Sequence, residues 1–143
     1  NARLCSLLGV DSPDRFGDYH GVEIGLCGRL RAPMSVESLA AKVRRITGSG
    51  VTSYAFGPAR IRKIAVVSGG GASLLEDARG AGCDAMLTGE TSHSAFHTAL
   101  EYGINLLCAG HYATETFGVR ALGELVESKL GLKTWFADLP TGL

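Results

Sequence analysis

The sequence predicts an α/β fold, layered α/β/α around a largely parallel sheet, and two features carry that expectation. From Ile61 onward, a strand-length apolar run, a polar or glycine-rich turn and an amphipathic helix follow one another and then repeat. Each of the helices in that repeat is closed by a glycine, Gly82, Gly103 and Gly131 in turn, the residue that most readily takes the left-handed conformation past a helix end. With 143 residues and 45% hydrophobic content, the chain suffices for a single domain, 1–143, and is too short for two.

The chain opens on residues 2–8, whose spacing is that of a short helix with no apolar partner nearby in sequence. This reads as the C-terminal portion of a longer protomer whose N-terminal half is absent. Residues 22–26 form a short strand candidate. Pro33-Met34-Ser35 then leads into a helix carrying Val36, Leu39, Ala40, Val43 and Ile46 at helical spacing, with Ser35 as N-cap and Gly48 as stop. A soft boundary near Pro58 separates this mixed part from the regular one. There the predicted strands are 63–67, 84–87, 104–108 and 133–136, and the helices between them are 72–81, 92–102 and 112–130. Alternation of this kind implies parallel strands whose strand-to-helix turns all emerge on one sheet edge, where open α/β sheets bind ligands. Three turns should therefore converge: Ser68-Gly69-Gly70-Gly71, then Thr88-Gly89-Glu90-Thr91-Ser92-His93, then Ala109-Gly110-His111-Tyr112-Ala113-Thr114-Glu115.

Composition narrows the function classes. Lys plus Arg and Asp plus Glu are both 14, so the formal net charge is zero and no basic field exists to hold nucleic acid or an anionic membrane. No stretch approaches the roughly 18 uninterrupted apolar residues of a membrane span, and no basic-then-apolar leader opens the sequence. Cys5, Cys27, Cys83 and Cys108 are widely spaced without a C-x-x-C pair, which favours reduced core thiols over a disulfide or zinc site. A cytoplasmic protein is expected.

The strongest local signal for chemistry is His111 with Glu115, four residues apart at the start of a helix, so that both project from one face within reach of a common ion. Imidazole plus carboxylate suits zinc, manganese or iron. The plain alternative is that Glu115 stabilises the first helical turn while His111 caps a loop. Two donors are too few for a stable transition-metal site, which takes three or four. Glu90 is the carboxylate best placed to join the converging edge. His93 and His97, one helical turn apart, would face the site or form a surface pair, and His20 beside Asp18 and Tyr19 reads as a solvated loop residue. Glycines 69–71 after a buried strand offer either an anion cradle of backbone N–H groups or close packing of helix on strand. No Lys-Ser/Thr pair follows Gly71, so the turn is not a Walker motif.

Thr88-Gly89-Glu90, then Ala109 through Glu115, then Gly118-Val119-Arg120-Ala121-Leu122 closely resemble the Ngg-one-interacting-factor-three-like family, whose members are also called GTP cyclohydrolase one type two homologues or dinuclear-metal-centre hexameric proteins. Residues 1–9 resemble the family's N-A-x-L-x-x-L-L-G helix, and Ser68 to Gly71 its S/T-G-G-G turn, so the likeness covers essentially the whole chain. The resemblance implies a two-metal site with His111 and Glu115 as ligands, the remaining ligands lying upstream of Asn1. It further implies a two-part intertwined fold of which this chain is half, assembled into a homohexamer. In that scheme metal-activated water attacks a nucleotide-like small molecule, Glu90 or His97 positions substrate or moves protons, and Gly69, Gly70 and Gly71 hold phosphate. A non-catalytic metal-binding scaffold or regulator acting through its ring is the competing expectation.

Overall fold

The structure, a computed structural model, describes residues 1–142. Its element order is α1 (Ala2–Leu8), β1 (Val10–Tyr19), β2 (Val22–Met34), α2 (Val36–Thr47), β3 (Thr52–Tyr54), β4 (Ile61–Val66), a 3₁₀ turn (Gly71–Leu74), α3 (Leu75–Gly80), β5 (Ala85–Thr88), α4 (His93–Tyr102), β6 (Asn105–Cys108) and α5 (His111–Leu130). One six-stranded sheet runs in the order β1-β2-β4-β5-β6-β3. Strict alternation along its central strands sorts the core into two halves. Ile64, Val66, Ala85, Leu87 and Leu107 pack with Leu4 and Leu8 of α1, Leu39 and Val43 of α2, and Phe117 of α5. Ala65, Val67, Met86, Leu106 and Cys108 pack on the other face with Leu75 and Ala78 of α3 and Ala95 and Ala99 of α4. Helices thus cover both faces, and the expected α/β/α layering holds.

The sheet itself is mixed. Parallel pairing joins β4, β5 and β6 at its centre, as the βα alternation requires, while β1, β2 and β3 pair antiparallel with their neighbours. The sequence signal missed the long β1–β2 hairpin because β1 is an edge strand with few buried residues and carries Pro13 beside an irregularity between Asp11 and Asp14, a position where the missing N–H of proline is tolerated. His20 and Gly21 form its two-residue tip, both at positive φ (54° and 82°), the geometry whose twist matches a hairpin. His20 is solvated there, as expected.

Three expectations need correction. Residues 133–136 form no strand. They run beside α5, held by Glu127 Oε1, which accepts from the Thr134 N–H at 2.7 Å, and by the Arg120 guanidinium 4.0 Å above the Phe136 ring. Trp135 in this run is 85% exposed, so its apolar character reflected no burial. Nor is α1 without partners: Leu4, Cys5 and Leu8 are each only 1% exposed, because the later elements bring a core to it. The helix expected over 72–81 begins instead as the 3₁₀ turn. Ser35 caps α2 as expected, its side chain accepting from the Ser38 N–H, and Gly48 ends the helix at φ 69°.

Candidate metal centre at the converging turns

The three turns following the parallel strands meet and are tied together by backbone. Gly69 O accepts from the N–H of Gly89 at 2.8 Å and of Glu90 at 3.3 Å, and Gly110 N–H donates to Gly89 O at 2.8 Å. Two buried threonines lock this junction. Thr88 Oγ1 donates to Gly69 O at 2.9 Å and accepts from Gly71 N–H at 3.0 Å. Thr114 Oγ1 accepts from Gly69 N–H at 2.9 Å and donates back to the carbonyls of the first turn of α5. Both threonines are at most 2% exposed, and hydroxyls serve here because one oxygen can accept and donate at once.

On this platform sits His111, at the first position of α5. Its Nε2 lies 3.3 Å from Glu115 Oε1 one turn along the helix, and its Nδ1 lies 3.1 Å from Glu90 Oε1 on the neighbouring turn. The contact with Glu90 raises the His111 pKa above the ordinary histidine value, burial opposes the rise, and the charge of Glu115 adds to it. Because the two carboxylates flank opposite ring nitrogens, the three side chains do not surround one point. Among the described residues no group of three or more His, Cys, Asp or Glu is arranged to enclose an ion.

The glycines of the first turn provide clearance. A Cβ on Gly69 would stand 2.5 Å from Glu115 Oε1 and 3.1 Å from His111 Nε2, and one on Gly70 would stand 3.2 Å from Glu90 Oε1. Gly69 also adopts φ 67°, a conformation that disfavours any side chain. Three of the four amides from Ser68 to Gly71 are already engaged, with Asn1 Oδ1, Thr114 Oγ1 and Thr88 Oγ1. Gly69 and Gly70 therefore form a floor beneath the donors, Gly71 packs against Val67 and Thr88, and little amide capacity is left in the turn for a phosphate. Sequence reasoning overlooked Thr88, Thr114 and Asn1. For the two threonines the signal was membership of the turns and of the runs that carry the family resemblance.

His97 packs edge-on against His93 with ring centroids 4.8 Å apart and against Phe96 at 5.3 Å, on the exposed side of α4. The four cysteines are buried free thiols. Burial pushes Cys5 and Cys108 up to about 11 and Cys83 to about 12, so none of these three offers a thiolate near neutral pH. A cleft of about 320 Å³ opens beside Glu115, lined among others by Tyr19, Ile24, Ser68, Gly70 and Ser73.

Fold and site together define a layered α/β protein that presents a His–Glu pair at the carboxyl edge of its parallel strands, over a floor of glycines. The chain belongs to the Duf34/NIF3 (NGG1p interacting factor 3) family, whose model matches residues 1–141. It is 38% identical over 143 residues to the GTP cyclohydrolase 1 type 2 homolog of Deinococcus radiodurans, covering 100% of this chain and 54% of that protein. To the homolog of the same name from Pyrococcus horikoshii it is 40% identical over 144 residues, covering 100% and 57%. Among solved structures, protein ybgI, described as of unknown function, matches with TM-score 0.87 at 33% identity over 99% of this chain and 56% of that one. The protein TTHA1606 from Thermus thermophilus matches with TM-score 0.79 at 33% identity, over 98% and 54%. The chain spans about half the length of the curated relatives it matches. No helix among the described residues is long and apolar enough to cross a membrane.

Proposed function

We propose that His111 and Glu115 hold a divalent ion of zinc, manganese or iron, and that the whole protein uses a two-ion site of this kind to hydrolyse a nucleotide-like small molecule. The observation that carries the reading is the 3.3 Å separation of His111 Nε2 and Glu115 Oε1. Two donors bound at about 2.0–2.1 Å to one tetrahedral ion stand about 3.3–3.4 Å apart, so the separation matches that of two ligands of one ion. Its mixed nitrogen and oxygen character suits the same metals. Such an ion, when bound, supplies Lewis acidity that makes water nucleophilic near neutral pH. In this chain Glu115 presents its carboxylate to the neighbouring cleft, Gly69 and Gly70 put no side chain of their own against the donors, and the two threonines hold the turns in register. The relatives' name, GTP cyclohydrolase 1 type 2 homolog, supports the substrate class, and the family resemblance supports two ions per complete protomer and a ring of six copies. Buried, unpaired thiols are consistent with a reducing cytoplasm.

The test compares metal-loaded protein of the relatives' full length with its His111→Ala variant across purine nucleotides. Loss of metal and of turnover together is the expected result; equal turnover in both proteins would exclude the metal mechanism. A second reading, a metal-binding scaffold without turnover, is favoured by the openness of the donors, whose side chains are 36% and 54% exposed. Retained metal with no turnover on any nucleotide would select it.

A further inference from the structure

The structure assigns Glu90 the role of a positioning residue: its carboxylate, on the Nδ1 side of His111, fixes the imidazole tautomer that leaves Nε2 free for an ion shared with Glu115. This inference rests on the metal-binding reading above and names a residue that acts through His111.

A neutral imidazole carries one proton, and whichever nitrogen holds it cannot coordinate a metal. His111 has a carboxylate at each nitrogen, Glu90 Oε1 at 3.1 Å from Nδ1 and Glu115 Oε1 at 3.3 Å from Nε2, so the two ends of the ring must divide the tasks. Three observations decide the division. His111 and Glu115 share the first turns of α5, and their mutual geometry is set by that helix. Glu90 instead arrives from the turn after β5, tied to Gly69 O through its own N–H. The two clefts beside the site are lined by Glu115 and not by Glu90. Finally, an added Cβ on Gly69 would meet Glu115 Oε1 and His111 Nε2. With Glu115 as the co-ligand, the ion belongs on the Nε2 side of the ring. Glu90 serves as acceptor for Nδ1–H, an arrangement that orients metal-bound histidines generally and raises the basicity of the coordinating nitrogen.

The experiment uses Glu90→Ala, Glu90→Gln, Glu115→Ala and His111→Ala, in protein of the relatives' full length, with two readouts. The ¹⁵N shifts of the His111 ring in metal-free protein, above the histidine titration, report the tautomer. Zinc titration reports affinity. The expected pattern is a Nδ1–H tautomer in the wild type that shifts toward Nε2–H in Glu90→Ala, with zinc affinity weakened about 10–100-fold. Glu90→Gln, whose amide oxygen still accepts, should restore most of both. His111→Ala and Glu115→Ala should lose zinc outright. An unchanged tautomer in Glu90→Ala overturns the inference whatever the zinc result. So does a loss of zinc in both Glu90 variants as complete as in His111→Ala, which would make Glu90 a ligand itself. Undiminished zinc binding by His111→Ala would instead defeat the metal reading, and the tautomer measurement, made without metal, separates that failure from this one.

Discussion

At His111 two demands on one side chain run in opposite directions with pH. Without metal, the contacts with Glu90 and Glu115 favour the imidazolium and raise its pKa. Their stabilising contribution is fully present below the unfolded value and is lost as pH rises through the raised folded value. The ring is partly exposed, so screening keeps that contribution small. Coordination requires the proton to leave, and affinity should therefore fall on acidification, starting at a higher pH than an ordinary histidine would set. Zinc titrations from about pH 8 down to about pH 5 should show progressive weakening accompanied by proton release. Affinity that stays flat over that range would remove His111 from the ligand set.

Elements matter here chiefly through the turns that join them. The turn after β4 is glycine-rich because it passes directly under the donors, and Gly69 is its tightest point against them. Gly69→Ala should cost about 1–2 kcal/mol from the left-handed backbone alone, and its methyl should also displace Glu115 or His111. Gly48→Ala supplies the control, since Gly48 has φ 69° with nothing within 4 Å of an added Cβ. Both variants should lose stability in denaturant unfolding, and only Gly69→Ala should also weaken metal binding. Equal metal affinity in the two would mean the turn is glycine for backbone reasons only.

At the scale of the whole molecule, the described residues form a well-packed layered sheet that brings two donors, His111 and Glu115, to the proposed ion. The sheet is covered on both faces and the core is dense, with Leu39, Ile61, Ile64 and Leu106 fully buried. Yet α5 leaves Val119, Leu122 and Leu125 at least half exposed, and the site offers two donors where a transition metal takes three or four. The chain by itself should accordingly bind zinc weakly, and protein of the relatives' full length should hold about two ions per protomer, measured by metal analysis after dialysis. Tight stoichiometric binding by the 143-residue chain would show that its own residues complete the site.

Local signals alone were enough to read the βα alternation, the caps Ser35 and Gly48, the glycines that end α4 and α5, and the His111–Glu115 pair. Each depends on residues within about one helical turn of another, and periodicity or spacing reports them directly. Longer-range features left no such trace. The β1–β2 hairpin was hidden because an edge strand buries too little to leave an alternating signal, and the false strand over 133–136 arose because apolar residues need not be buried. Which of two ring nitrogens faces Glu90, why Gly69 is glycine, and that Asn1, Thr88 and Thr114 hold the turn amides are decided by contacts between segments far apart in sequence. The closing of β4, β5 and β6 into one sheet is what brings those turns together, and that is a tertiary event.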